Sequence, residues 1–189
     1  MRKNKALFLD RDGVINVYHP YVHSREEFQF QEGIFDLCRA AQSRNYHLLV
    51  VTNQAGIARG YFTEPVFLEL TEWMLDRFAE QAIYISRVYY CPYHPVHGVG
   101  RYKSDSPFRK PNPGMFLRAR TDFSLDLAAS VLIGDQQLDI DAAKAAGVGT
   151  KILFPPGMES TKAKADHFYI SHSLGDIRRR FFPPPLAED

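Results

Sequence analysis

The chain has 189 residues, of which 45% are hydrophobic and 24% charged, with 23 lysines and arginines against 22 acidic residues. That length fits one domain able to bury about 70% of the surface its unfolded form exposes, so no disulfide or metal is needed to hold it together. The composition excludes a disordered chain, and a formal net charge of +1 argues against a nucleic-acid coat protein, which carries a basic excess.

The basic start Met1-Arg2-Lys3-Asn4-Lys5 is followed by an apolar, β-rich run at residues 6–9 that Asp10 cuts short, well before the length of a secretory signal. A polar and aromatic stretch at 16–32 precedes a helical period at 34–44 and a second apolar run at 47–52. Residues 65–81 form a long helical period in which Leu68, Leu70, Met74, Leu75 and Phe78 make an apolar stripe. Apolar runs at 85–90, 130–133 and 150–154, and a weaker one at 167–170, alternate with helical periods at 114–122, 139–146 and 174–182. Pro183 stops the last of these and opens a tail over 183–189.

Strands separated by helices, with nearly continuous apolar runs, predict a parallel sheet covered on both faces: a three-layer doubly wound α/β fold. Ligands in such folds sit outside the carboxyl ends of the strands, so functional residues are expected directly after them. The whole chain, 1–189, reads as one such domain without a large cap. Its two long irregular segments are expected to be a flap-like loop at 16–32 and a substrate loop at 91–113. The two cysteines, Cys38 and Cys91, give no disulfide framework, and no stretch reaches the roughly 18 apolar residues of a membrane span. The expectation is a cytoplasmic monomer with no nucleic-acid or membrane partner.

The first run ends in Asp10-Arg11-Asp12-Gly13. Two carboxylates two residues apart at a strand end can serve phosphoryl transfer, with Asp10 as nucleophile and Asp12 as general acid and base, while Gly13 lets the backbone approach a phosphate. A strand-end Asp turn is the plain alternative. After the second run, Thr52 and Asn53 can hold phosphate oxygens or cap a turn, and Gly56 marks a close approach to a ligand. In Arg109-Lys110-Pro111, Lys110 can neutralise a transferring phosphoryl group and Arg109 can grip a second anion, unless both belong to a solvated basic turn. After the fourth run, Asp135 suits a magnesium ligand completing a site with Asp10, and Asp139 either tightens that site or caps the helix that follows. Four independent structural explanations would have to coincide in this order.

These residues resemble the four motifs of the haloacid dehalogenase-like (HAD) phosphatase superfamily, at Asp10/Asp12, Thr52, Lys110 and Asp135/Asp139. More narrowly, residues 8–16 (FLDRDGVIN), 51–62 (VTNQAGIARGYF), 91–95 and 109–115 (RKPNPGM) are similar to the D-glycero-D-manno-heptose-1,7-bisphosphate 7-phosphatases, relatives of the histidinol-phosphate phosphatases. The resemblance runs from about Lys5 to Ile177. It implies a magnesium-dependent phosphatase of a small phosphorylated sugar, working through an aspartyl-phosphate and serving the making of activated heptose for bacterial surface polysaccharide. It implies Mg²⁺ on Asp10, the Asp12 backbone carbonyl and Asp135, with Asp139 as a further candidate. Substrate would be held by Asp12, Gly13, Thr52, Asn53, Arg109 and Lys110, with Arg101 or Lys103 as additional anchors for a second phosphate. Histidinol phosphate, a polynucleotide 3′-phosphate and a catalytically silent binding module are the rival readings.

Zinc-bearing members of that family read Cys-Pro-His, then Cys-x-Cys before Arg-Lys-Pro. Here Cys91-Pro92-Tyr93 and Ser106-Pro107-Phe108 stand in those places, so three of four ligands are replaced. Cys91, His94 and His97 offer a partial set only, and zinc is not expected. The loop is instead expected to be held by packing of Tyr93, Tyr102 and Phe108.

Overall fold

The computed structural model describes residues 4–155, 164–165 and 167–184. Its strands are β1 (Lys5–Leu9), β2 (Tyr46–Asn53), β3 (Ile85–Cys91), β4 (Val131–Gly134), β5 (Thr150–Leu153), β6 (Lys164–Ala165) and β7 (Phe168–Ile170). They form one sheet in the order β3-β2-β1-β4-β5-β7-β6, parallel throughout except that β6 runs antiparallel to β7. The helices are α1 (Ile34–Gln42), α2 (Ala55–Ala58), α3 (Glu64–Glu80), α4 (Gly114–Phe123), α5 (Gln137–Ala146) and α6 (Leu174–Phe181). The three-layer α/β fold expected from the alternation is the one observed, with an antiparallel edge strand added.

The central strand shows why its sequence is apolar without a break. Leu7 and Leu9 pack into one core with α1, α3 and α6, while Ala6 and Phe8 enter the other with α4 and α5. Alternate side chains point to opposite faces, so a strand covered on both sides has no position for a polar residue. After the half-buried Lys5 at the strand's start, the next polar side chain appears only where the strand ends, and that is Asp10. Leu9 sits beside Val50 of β2 on one side and Ile133 of β4 on the other. The chain winds from β1 outward through β2 and β3, then returns to β4 on the opposite side of β1. The carboxyl ends of β1, β2 and β4 therefore flank the point where the winding direction reverses.

In α3 the buried positions are Phe67, Leu70, Thr71, Met74 and Phe78, whereas Leu68 is exposed and Leu75 only partly buried. The expected stripe is thus rotated by one residue at its start. Thr63 caps α3, its side chain accepting the Val66 N–H, and Pro65 occupies the first turn, where its missing N–H costs nothing. Helix α5 begins at Gln137, earlier than the 139–146 period indicated. The short α2 and the edge strand β6 had no sequence signal. Of the tail, residues 185–189 lie outside the described residues. No described helix is long and apolar enough to cross a membrane.

One buried hydroxyl joins the sheet's start to the preceding loop. Ser130 Oγ accepts the Ala6 N–H at 3.0 Å and donates to the Asp126 carbonyl at 2.7 Å. Removing it leaves a strand N–H buried without an acceptor. Ser130→Ala is expected to lower stability by about 1–3 kcal/mol, read from urea denaturation midpoints at unchanged slope.

Candidate active site

Asp10 follows β1, Thr52 lies near the end of β2, and Asp135 follows β4, so sheet register alone brings them to one rim. Lys110 arrives from the loop between β3 and α4. Its side chain is fully buried, with Nζ 2.9 Å from Asp10 Oδ2 and 2.6 Å from Asp139 Oδ1. Nζ also donates to the Val51 carbonyl at 2.9 Å. Asn53 fixes the backbone beneath it: Asn53 Oδ1 accepts the Lys110 N–H and Asn53 Nδ2 donates to the Lys110 carbonyl, both at 3.0 Å. Asn53 therefore positions the lysine while also lining the cleft.

Asp139 serves the start of α5 from its third position and faces the lysine as well. Oδ2 accepts the Gln136 N–H at 3.0 Å ahead of the first turn of α5, while Oδ1 pairs with Lys110. Burial pushes the Asp10 carboxyl up to about 7, Lys110 pulling the other way and the charges of Asp139 and Asp12 adding to the rise. Burial likewise pushes Asp135 up to about 8, with Asp10 and Asp139 adding to it. Burial works against the Lys110 ammonium, but Asp10 and Asp139 outweigh it and hold its pKa above the ordinary lysine value.

Asp10, Asp135 and Asp139 each bring a carboxylate oxygen within 4.8 Å of the others. Asp135 Oδ1 is buried and accepts no hydrogen bond. A buried carboxylate oxygen without a donor is a costly arrangement, and a hard divalent cation relieves it with the oxygen ligands it prefers. The donor set fits magnesium. Asp139 already faces Lys110 and Gln136, which leaves Asp10 and Asp135 as the pair best placed to hold a cation. Gly13 has φ +86°, and a Cβ there would lie 2.4 Å from Asp135 Oδ2. Both the left-handed backbone and the close approach demand glycine.

The Asp12 carboxylate is fixed by three neighbours. Arg11, itself buried, donates from Nε (3.2 Å) and Nη2 (2.8 Å) to Oδ1 and from Nη2 to Oδ2 (2.9 Å). Asn16 Nδ2 donates to Oδ1 at 3.2 Å, and Gln54 Nε2 to Oδ2 at 3.1 Å. Gln54 Nε2 also donates to Thr52 Oγ1 at 3.0 Å, leaving the Thr52 hydroxyl proton free for another acceptor. Arg11, Asn16 and Gln54 carried no sequence signal beyond their place beside the motifs.

Above this rim opens a cleft of 440 Å³, whose walls include Tyr18, Tyr21, Arg59, His94, Arg109 and Leu138. Tyr18 and Tyr21 come from the 16–32 segment, which folds back on itself through an Asn16–Phe30 bridge. Arg109 reaches the cleft as expected. Arg101 and Lys103 do not line it: Arg101 pairs with Glu64 at 3.3 Å and with the Tyr102 hydroxyl. Gly56 lines the cleft, and a Cβ there would meet the Phe62 ring at 2.2 Å. The 91–113 loop is held mainly by polar contacts. Phe108 is exposed, whereas the Ser106 carbonyl accepts from Arg109 N and Asn112 Nδ2, and Ser106 Oγ from Phe108 N. Tyr93 and Tyr102 do pack, with ring centroids 6.0 Å apart.

A family model described as HAD-hydrolase-like matches residues 107–177. The chain is 57% identical over 151 residues to the D-glycero-alpha-D-manno-heptose-1,7-bisphosphate 7-phosphatase of Burkholderia mallei, covering 80% of each chain. It is 53% identical over 157 residues to the D-glycero-beta-D-manno-heptose-1,7-bisphosphate 7-phosphatase of Vibrio cholerae, covering 83% of this chain and 84% of that one. The chain belongs to the HAD-like phosphatase family. Among solved structures, the D,D-heptose 1,7-bisphosphate phosphatase of B. bronchiseptica, complexed with magnesium and phosphate, shares the fold of this HAD-like phosphatase at a TM-score of 0.79. That match has 24% identity and covers 94% of this chain and 97% of that one.

The raised acid pKa values carry a stability consequence. In the metal-free enzyme the folded state keeps protons on Asp10 and Asp135 that the unfolded chain has already lost. Their contribution is present in full at low pH and is lost as pH rises through the folded values near 7 and 8. Thermal melting in a chelator is expected to fall from about pH 5 to about pH 8, and Asp135→Asn is expected to flatten that fall. Equal slopes for the variant and the parent enzyme would contradict the assignment.

Proposed function

We propose that this phosphatase removes the 7-phosphate of D-glycero-D-manno-heptose 1,7-bisphosphate through an aspartyl-phosphate on Asp10, with Mg²⁺ as cofactor. The observation that carries the reading is the meeting of three buried carboxylates and one buried ammonium at the floor of a cleft that also holds Arg109. The names of the close relatives supply the sugar.

Held by Asp10, Asp135 and the Asp12 carbonyl, the metal ion would supply positive charge that lets a phosphate dianion approach a carboxylate. Lys110 adds a second positive charge from within the protein, and its fixed position means no reorganisation is needed when the phosphate arrives. Asp10 Oδ1 accepts the Arg11 N–H at 2.7 Å and Oδ2 faces Lys110, so the nucleophile is aimed before substrate binds. The attacking oxygen of Asp10 forms a bond to phosphorus as the ester P–O bond breaks, and the electron pair leaves with the sugar oxygen. Asp12 gives that oxygen its proton. Water then attacks the acyl-phosphate, Asp12 takes its proton, and inorganic phosphate leaves with Asp10 restored. Thr52 offers its hydroxyl proton to a phosphate oxygen, Gly13 keeps the backbone close to it, and Asn53 keeps Lys110 in place. Arg109 binds the second phosphate.

Asp10→Asn is expected to abolish phosphate release. Asp12→Ala is expected to slow it by about 10²–10⁴-fold, with both steps affected, and a chelator to stop it until Mg²⁺ is restored. The substrate is tested by comparing kcat/KM for the alpha and beta heptose bisphosphates, fructose 1,6-bisphosphate and histidinol phosphate. A heptose bisphosphate is expected to be turned over best; faster turnover of histidinol phosphate would overturn the substrate assignment.

A further inference from the structure

We infer that Arg59 and His94 join Arg109 in a subsite for the non-reacting phosphate, making this cleft selective for a bisphosphate over the corresponding monophosphate. The inference rests on the sugar-bisphosphate reading above and extends it to two residues given no substrate role there.

Many arginines elsewhere in the molecule pair with carboxylates, as Arg25 does with Glu69, Arg39 with Asp36, Arg87 and Arg118 with Asp122, and Arg101 with Glu64. Arg44, Arg120, Arg178 and Arg180, unpaired among the described residues, lie away from the cleft. Among the described residues, no carboxylate pairs with Arg59 or Arg109, although both line the same cleft. The Arg109 side chain donates only to the Tyr93 carbonyl, at 3.2 Å, and Arg59 Nε is buried with no acceptor. The two guanidinium groups lie close enough for the charge of Arg59 to disfavour that of Arg109. Two like charges turned toward one space without an anion between them raise each other's energy, and a phosphate with several acceptor oxygens converts that repulsion into attraction.

His94 contributes a neutral donor to the same wall. Its Nδ1 accepts the backbone N–H groups of Val96 (3.2 Å) and His97 (3.0 Å), which assigns the ring proton to Nε2. Burial and the cations Arg109 and Arg59 push its pKa below the ordinary histidine value, so the ring stays an uncharged N–H donor at neutral pH. The backbone fixes the three relative to one another. Arg59 N donates to Ala55 O at 3.0 Å, closing α2 directly after Thr52-Asn53-Gln54. Val99 N donates to Ala58 O at 2.9 Å and His94 N to Tyr102 O at 3.1 Å, tying the 91–113 loop to that turn. The spacing between the reacting phosphate at Thr52 and the second anion is thereby built into a short rigid segment.

The test compares kcat/KM for D-glycero-D-manno-heptose 1,7-bisphosphate with that for the 7-monophosphate, in the parent enzyme and in R59Q, R59K and H94A. The parent enzyme is expected to prefer the bisphosphate, and R59Q to lower that preference by about 10- to 100-fold, mostly through KM. R59K is expected to keep more of it than R59Q, and H94A to lose less than R59Q. Partial unfolding scales both substrates alike, so the ratio is insensitive to it. A parent enzyme with no preference would overturn the substrate reading together with the subsite. A parent that prefers the bisphosphate beside an R59Q variant with the same ratio would overturn the Arg59 assignment alone.

Discussion

An ammonium group with none of its side chain exposed is stable only if the protein replaces the water it has lost. Lys110 achieves this with two carboxylates and one carbonyl, from Asp10, Asp139 and Val51, contributed by three different parts of the chain. Much of the site is built around that arrangement. Asp139 can face Lys110 because it also anchors to Gln136 at the start of α5, and Asn53 can hold the lysine backbone because it ends β2. The cluster still carries an imbalance. Ionised Asp10, Asp135 and Asp139 would set three negative charges against one positive, and the low dielectric of a buried site magnifies the difference. The raised acid pKa values of Asp10 and Asp135 and the orphan oxygen of Asp135 express that same deficit. A divalent cation is the simplest remedy.

The sequence revealed much of this because the sheet is parallel and central. A strand buried on both faces leaves a continuous apolar run, and its first polar residue marks the strand end where ligands bind. Asp10, Thr52 and Asp135 were legible for that reason, and Lys110 because it stands beside a proline-rich break before a helix. Arg59 was not legible: a single arginine after Ile57-Ala58 looks like a solvated helix end, and only tertiary packing turns it toward the cleft. The bonds from Asn53 to the Lys110 backbone were not legible, because side-chain chemistry gives no direction and an amide suits a peptide backbone as well as a phosphate oxygen or a turn. In α3 the stripe began one residue off because Phe67 and Leu68 are adjacent and both apolar, so periodicity alone could not decide which faces inward. Gly56 lines the cleft, but the ring that crowds it, that of Phe62 six residues on, could not be foreseen from the sequence.

The loop over 91–113 illustrates a different limit. Its aromatic residues drew the expectation of hydrophobic packing, yet Ser106, Asn112 and the Arg109 backbone form most of its internal ties. Short polar side chains that bond to nearby backbone are hard to read in advance, since each could serve water equally well. Their effect is functional as well as structural. They fix Arg109 and Lys110, adjacent in sequence, so that one lines the cleft wall while the other is buried beneath its floor. Charge of the same sign is thus divided between the wall of the cleft and the carboxylate cluster below it.

The central claim is that Asp10, Asp135 and Lys110 act on a single phosphorus atom. It is tested most directly by a crystal structure of the enzyme grown with Mn²⁺ in place of Mg²⁺ and with orthovanadate as a phosphoryl mimic. The account predicts one anomalous peak bonded to carboxylate oxygens of both Asp10 and Asp135. The vanadium should stand in line with an Asp10 oxygen, one of its own oxygens within hydrogen-bonding distance of Lys110 Nζ. A metal bound away from Asp135, or vanadate seated among the cleft arginines with Asp10 untouched, would contradict it.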